Sequence, residues 1–210
     1  MSGSLSRRDV FAALSLSLAL GPAAGAAPSP ENDALIARAI GYLEDLTSVK
    51  GRFEQSDQRG VVATGTIWLA RPGRARFEYD PPSGLLITSD GKTVIVSNSR
   101  LKTFQRLPLT STPLAIFLAQ HIRLDRGAHV TRVDRTADGF SISARDSRGL
   151  AQGDITLYFL DAPLRLTGWV IIDAQARLTR VTLTSLAPVP TPPADAFTQT
   201  PESSAAPPGM

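Results

Sequence analysis

Two serine–lysine pairs match the spacing of the catalytic residues in penicillin-binding enzymes. In both pairs, Ser89 with Lys92 and Ser99 with Lys102, the lysine follows the serine by three residues. That chemistry requires the serine to begin a helix, so that the lysine lies one turn further on the same face. Here the first pair spans a predicted hairpin turn and the second lies between predicted strands. We therefore interpret both matches as chance, and hydrolysis through Ser89 or Ser99 is the weakest functional hypothesis.

A second group with chemical potential is His121, Asp125 and His129, which would align on a helix as a metal site. Gly127 interrupts this stretch, and the strand-like Val130–Asp134 follows it, so two surface histidines are the preferred interpretation. The chain contains no cysteine, which excludes disulfides, thiolate zinc sites, iron–sulfur clusters, a cysteine nucleophile and a lipid-modified N-terminal cysteine. We therefore predict no cofactor, no metal and no enzymatic activity.

The composition indicates one folded domain. Of the 210 residues, 42% are hydrophobic and 20% are charged, which is close to the globular average. The formal net charge is only +3, and no run of lysine or arginine concentrates it. Because nucleic-acid binding needs a focused cationic face, we do not expect a nucleic-acid partner.

The first 26 residues have the pattern of an export signal. Arg7 and Arg8 precede the apolar stretch Val10–Leu20, and the small residues Ala24–Ala26 supply a cleavage site. The alternative is an N-terminal core helix. The segment Ser6–Phe11 also resembles a twin-arginine signal, so the export route stays open. Either route predicts that the mature chain resides in a bacterial periplasm or outside the cell.

The mature chain begins with a helical pattern and continues with strand patterns. Ser29 and Pro30 are typical of an N-cap and the first helical position, and Leu35, Ile40 and Leu43 then recur at helical spacing. Strand-like runs follow at 51–55, 64–70, 74–79, 85–88, 93–97, 103–107, 130–134, 140–144, 155–159, 166–172 and 178–186. A short apolar helix is predicted around Thr112–Ala119. About ten closely spaced strands favour one large antiparallel sheet that curls into a sandwich or barrel.

Between Gly65 and Pro82 the alternation predicts which side chains share a face. One side is apolar: Ile67, Leu69, Ala75, Phe77 and Tyr79. Arg71 continues the parity of Ile67 and Leu69, so it would lie at the rim of the apolar side. The alternative is an edge arginine whose long side chain bends back to water.

The stretch 65–82 resembles the periplasmic outer-membrane lipoprotein carriers of Gram-negative bacteria, the LolA-type family. The resemblance extends over about residues 31–187 through Gly51–Gln55, Leu85–Thr93, Thr112–Leu114 and Gly168–Gln175, and Phe197 is similar to a late phenylalanine of the family. Two features depart from the family: Ala176 stands where glycine is common, and the C-terminal segment is rich in proline.

The resemblance implies an α+β fold, an incomplete, half-open antiparallel β-barrel whose concave face is covered by helices acting as a lid. It implies that residues 27–187 form a monomeric carrier domain for triacylated lipoproteins. The lipoproteins would come from an inner-membrane lipoprotein-releasing ABC transporter, and whether a separate outer-membrane receptor takes them stays open. In this family an arginine before the proline is thought to hold the lid by hydrogen bonds to backbone carbonyls, and the corresponding residue is Arg71.

We expect the acyl-chain cavity to be lined by apolar residues from both helices and several strands. These are Leu35, Ile40, Leu43, Phe53, Ile67, Leu69, Phe77, Tyr79, Leu86, Leu114, Phe117, Leu118, Phe159 and Trp169. Residues 188–210, rich in proline and alanine, are predicted to be a largely disordered tail in which Phe197 anchors the first part. The alternative function is a module of related fold that binds or senses another lipid or a glycolipid.

Overall fold

The structure, a computed structural model, describes residues 30–122, 128–146 and 153–199. The predicted signal peptide at residues 1–26, Asp125 of the histidine group and residues 200–210 of the predicted tail lie outside this described part. None of the helices it contains combines the length and the apolar character that a membrane crossing requires.

The first element, α1, is the helix Pro30–Asp45, which begins at the proline that the sequence marks as the first helical position. Acidic residues occupy its first turn, where they interact favourably with the helix dipole. Leu35, Ala39 and Leu43 recur every four residues and are all buried. One face of α1 is therefore packed against the rest of the chain.

Eleven strands form one antiparallel sheet. They are β1 (Ser48–Asp57), β2 (Val62–Ala70), β3 (Arg74–Tyr79), β4 (Leu85–Asp90), β5 (Thr93–Asn98), β6 (Thr103–Pro108), β7 (Ala128–Arg135), β8 (Gly139–Asp146), β9 (Gly153–Asp161), β10 (Leu164–Asp173) and β11 (Leu178–Pro188). Their order is β6-β5-β4-β3-β2-β1-β11-β10-β9-β8-β7, so the first and last strands meet in the middle. In the described part β6 and β7 are the outer strands and do not pair, which confirms the predicted open antiparallel sheet.

The sheet is strongly curved. Phe77 on β3 and Trp169 on β10 are four strand positions apart, which would separate them by about 19 Å on a flat sheet. Their ring centroids are only 6.1 Å apart. Phe53, on the intervening β1, contacts Phe77 at 5.8 Å. These rings therefore lie together on the concave side.

Both helices contact aromatic residues of the concave side. After β6 the chain forms the 3-10 turn Leu109–Ser111 and the short helix α2 (Leu114–Leu118). Phe117 of α2 lies 5.6 Å from Trp169, centroid to centroid. Tyr42 of α1 makes an edge contact with Phe159 of β9 at 6.2 Å.

One predicted cavity residue lies on the other side of the sheet. In the β3–β4 register, Phe77 pairs with Ile87, and Glu78 pairs with Leu86. Because directly paired residues share a face, Leu86 lies with Glu78 on the convex side, and the prediction for Leu86 is corrected. The run Leu85–Ile87 is apolar throughout, so its composition could not select which residues point inward.

The segment 188–199, which the sequence predicts to be part of a tail, packs on the convex side. It contains a second 3-10 turn, Ala194–Phe197. Phe197 is buried beneath the guanidinium of Arg74, and the buried amide of Gln199 donates to Thr88 Oγ1 at 3.0 Å. Composition underestimates the order of this segment because two isolated side chains anchor it.

Candidate functional site

Arg71 lies directly after β2, where the sheet meets both helices. Its backbone N–H donates to the Thr47 carbonyl at 2.8 Å. Its side chain donates from Nη1 to the Leu43 carbonyl of α1 and from Nη2 to the Ala119 carbonyl after α2, each at 2.6 Å. We call these two side-chain bonds the arginine bridge. The bridge joins the sheet, α1 and the end of α2 through one planar group.

The environment of Arg71 is half-buried and carries one nearby acid. Burial lowers the pKa of Arg71 from its ordinary value, and the charge of Glu44 opposes that shift. The guanidinium stays protonated, so the bridge is charge-assisted. Glu44 also accepts a hydrogen bond from the Ile122 backbone N–H at 3.2 Å, which gives α1 a second contact with the segment after α2.

The turn after Arg71 is held by further bonds. Gly73 donates its N–H to the Leu118 carbonyl at 2.8 Å. Gly73 has a φ of +74°, and an added Cβ would lie 2.5 Å from Gly91 Cα, so both conformation and space favour glycine. The buried Ser89 hydroxyl donates to the Gly73 carbonyl at 2.7 Å. Ser89 therefore stabilises the turn that contacts α2.

A small apolar void lies between the helices and strands β8 and β9. It is lined by Ala39, Ile40, Leu43, Ile116, Phe117, Ile122, Ile142, Ala144, Ile155 and Leu157. Its volume is about 10 Å³, which is close to the space of a single water molecule. Every lining residue is apolar, so the void offers no side-chain anchor for a polar group.

A polar pair borders the aromatic residues on the concave side. The Tyr79 ring contacts Phe53 at 5.1 Å, and its hydroxyl donates to Gln55 Oε1 at 2.5 Å. Burial raises the pKa of Tyr79 to about 12, although the bond to Gln55 opposes the shift. The pair is therefore uncharged at neutral pH.

Most of the predicted cavity residues belong to one buried cluster: Leu35, Leu43, Phe53, Ile67, Leu69, Phe77, Tyr79, Phe117, Leu118, Phe159 and Trp169. Ile40 and Leu114 are partly buried and pack against this cluster, whereas Leu86 lies on the convex side. Only Ile40, Leu43 and Phe117 of the predicted set also line the void.

Sequence reasoning missed the β8–β9 wall of the void. Ile142, Ala144, Ile155 and Leu157 supply that wall, and their alternation within the predicted strands 140–144 and 155–159 was the available signal. Ala119 and Thr47 were also missed. They act through backbone carbonyls, which any residue type provides.

The residues first considered for chemistry do not assemble into a catalytic or metal centre in the described part. Ser99 Oγ is exposed and donates to the Gly84 carbonyl at 3.4 Å. The described residues contain no group of three or more histidines and acids placed to hold a metal ion. Asp125, the middle member of the histidine group, lies outside them.

Comparison with known proteins gives a family match. A family model described as "Outer membrane lipoprotein carrier protein LolA" matches residues 44–200, well over half of the chain. The match includes Arg71, α2 and the strands β8 and β9 that line the void, whereas the lining residues of α1 lie before it.

Individual relatives are similar over shorter stretches. An outer-membrane lipoprotein carrier protein of Alkalilimnicola ehrlichii is 35% identical over 97 residues, covering 44% of this chain and 43% of the relative. One of Chromohalobacter salexigens is 33% identical over 85 residues, covering 36% of this chain and 40% of the relative. The matched segments thus span about two fifths of each relative.

A solved structure supports the fold alone. The crystal structure of a DUF1329 family protein from Desulfovibrio piger aligns with a TM-score of 0.51 at 8% identity. The alignment covers 81% of this chain and 98% of that protein.

Proposed function

The chain belongs to the LolA family of outer membrane lipoprotein carrier proteins, and from this premise we propose that it carries the acyl chains of lipoproteins across the periplasm. The acyl chains would occupy the concave side of the sheet, beneath α1 and α2. The observation that carries the proposal is the apolar void between these helices and the sheet, next to the arginine bridge.

A carrier of this kind answers a physical problem. Each methylene of an acyl chain costs about 0.8 kcal/mol in water, so a chain of about fifteen carbons costs about 12 kcal/mol. Free diffusion of a lipoprotein between two membranes would therefore be very slow. An apolar site without polar anchors shields the chains and still allows their release.

If the acyl chains bind beneath α1 and α2, the described structure is the closed form of the carrier. Sites for ligands of this size have volumes of about 300–1,000 Å³, far above the void of about 10 Å³. Loading therefore requires α1 and α2 to move away from the sheet. The arginine bridge must break in that movement, because Arg71 holds a carbonyl of α1 and another after α2. Arg71 is thus the proposed gating residue.

The proposed partners follow from this role. The protein would act as a periplasmic monomer that receives triacylated lipoproteins from an inner-membrane lipoprotein-releasing ABC transporter. It would deliver them to the outer membrane, directly or through a receptor there.

The decisive experiment is mass spectrometry of the lipids and peptides that remain bound to protein purified from its native periplasm. Triacylated peptides are the expected cargo. Phospholipid or glycolipid in their place would refute lipoprotein carriage and favour the alternative of another lipid ligand. Ala144→Leu adds three carbons to the wall of the void, more than it holds in the closed form, and should lower the bound amount by occupying acyl-chain space. Ala187→Leu, at an exposed position outside the void, is the matched control.

A further inference from the structure

The large apolar side chains that are exposed in the described part all lie in or next to turns between strands. They are Val61 (59% exposed), Val62 (55%), Leu101 (72%) and Ile172 (40%). Val61 and Val62 lie at the β1–β2 turn, Leu101 in the β5–β6 turn and Ile172 next to the β10–β11 turn.

The topology places these three turns at the same end of the sheet. β1 pairs antiparallel with β2 and β11, so the β1–β2 turn and the β10–β11 turn lie side by side at the end where Asp57 pairs with Thr179. The antiparallel series from β2 to β6 brings the β5–β6 turn to this end as well. Arg71 and α2 lie at the opposite end, since Ala70 pairs with Ser48 at the start of β1. We call the end with the exposed side chains the distal end.

The distal end carries an excess of positive charge in one turn. Asp57 pairs with Arg59 at 2.9 Å, and Asp173 pairs with Arg177 at 2.7 Å, so those two turns are internally neutralised. Arg100 and Lys102 flank Leu101, and within the described residues neither has an acidic partner.

The Arg100 turn is also well fixed. Arg100 Nη1 donates to the Pro82 carbonyl at 2.6 Å, and the Asn98 side chain accepts the N–H groups of Arg100 and Leu101, each at 3.0 Å. Leu101, the large apolar side chain with the greatest exposure in the described part, therefore lies on an ordered turn between two cations.

From this arrangement we propose that the distal end docks on the surface of an anionic lipid bilayer, with Leu101 inserting among the acyl chains and Arg100 and Lys102 contacting the headgroups. Aliphatic side chains flanked by cations are the combination that binds such surfaces. The exposed residues are dispersed over an arc, with the β5–β6 and β1–β2 turns about four strands apart. A lipid bilayer can take up several apolar side chains that lie apart from one another. A protein partner, by contrast, is typically bound through one contiguous apolar patch.

The test is flotation of protein exported to and purified from the periplasm, mixed with vesicles of phosphatidylglycerol and phosphatidylethanolamine or of phosphatidylcholine alone. The protein should float with the anionic vesicles only, and less so at high salt. Leu101→Ser should lower the partition coefficient about tenfold, and Lys102→Gln about fivefold. Leu101→Met and Arg165→Gln, which removes an exposed charge at the other end of β10, should match the parent protein.

Three results would overturn the proposal: no flotation of the parent protein, equal flotation of Leu101→Ser, or equal binding to both kinds of vesicle. If Leu101→Ser instead weakens only the binding to a detergent-solubilised transporter, the distal end recognises a protein. A fluorescent fatty-acid binding assay on the same variants separates this proposal from the carrier function, because Leu101 does not line the void. Normal fatty-acid binding with no flotation would therefore refute membrane docking alone.

Discussion

Replacing Arg71 by leucine would remove the two side-chain bonds that join α1 and the end of α2 to the sheet. A hydrogen bond to a charged group contributes about 1.5–3 kcal/mol, and the lower value suits a half-exposed guanidinium. Two such bonds give about 3 kcal/mol, which is about 100-fold in the equilibrium between closed and open forms. The bonds from Gly73 to Leu118 and from Ile122 to Glu44 remain, so the closed form should still exist.

Two measurements report this shift. Native-state hydrogen exchange of the α1 amides should become up to about 100-fold faster, because opening becomes that much less costly. The apparent affinity for a fluorescent long-chain fatty acid should rise by up to the same factor, because a larger fraction of molecules is competent to bind. Release to an acceptor membrane should slow correspondingly.

Arg71→Lys is the matched variant. It keeps the positive charge, but a single ammonium group does not reproduce the planar fork that reaches both carbonyls. The change in the free energy of opening should therefore be about half of that for Arg71→Leu. If Arg71→Leu folds normally and shows parent-like exchange and affinity, the bridge does not control opening. If Arg71→Lys behaves like the parent protein, charge alone is sufficient and the fork geometry is irrelevant.

Three further predictions concern stability. Hydrogen bonds from Arg52, the largest contribution, and from Thr64 lower the pKa of Asp80 to about 2. The Asp80 carboxylate therefore stabilises the fold above about pH 4, and this stabilisation is lost as the pH falls toward 2. Asp80→Asn should flatten the pH dependence of the free energy of urea unfolding in that interval. Gly73→Ala should cost about 2 kcal/mol, measured by urea unfolding, because its φ is positive and the new Cβ meets backbone. Phe197→Ala should cost up to about 3 kcal/mol and expose residues 188–199 to limited proteolysis, and equal proteolysis of the parent protein would contradict the packing of this segment.

The sequence was sufficient for the parts of the fold that rest on local patterns. The alternation of strands such as 74–79 and the Pro30 start of α1 are determined by neighbouring residues, and both agree with the structure. Leu86 shows where this stops. In a run of three apolar residues, either the middle residue or its two neighbours could face the concave side. The pairing of β4 with β3 decides which of them do.

The candidate site could be located from the sequence only in part. The parity of Arg71 placed it at the rim of the apolar side, but its partners are the carbonyls of Leu43 and Ala119, which lie 28 and 48 residues away. Every residue type has a backbone carbonyl, so the sequence cannot show which carbonyls accept from Arg71. Only the resemblance to the LolA-type family predicted that its partners are backbone carbonyls. The β8–β9 wall was missed for a different reason: its apolar side chains were visible, but nothing local indicated which strands face α1 across the curved sheet.

The closed form also bears on how a carrier avoids holding its cargo too tightly. Transfer of an acyl chain out of water is favourable by about 12 kcal/mol, which taken alone would make release very slow. Opening must first break the arginine bridge, at a cost of about 3 kcal/mol, and must separate apolar side chains of α1 and α2 that are packed around the void. These costs subtract from the affinity and are recovered when the cargo leaves and the helices close. Since both acceptors of the bridge are neutral carbonyls, breaking it leaves no buried carboxylate unpaired. The same bonds that close the empty carrier therefore lower its affinity for acyl chains and favour their release.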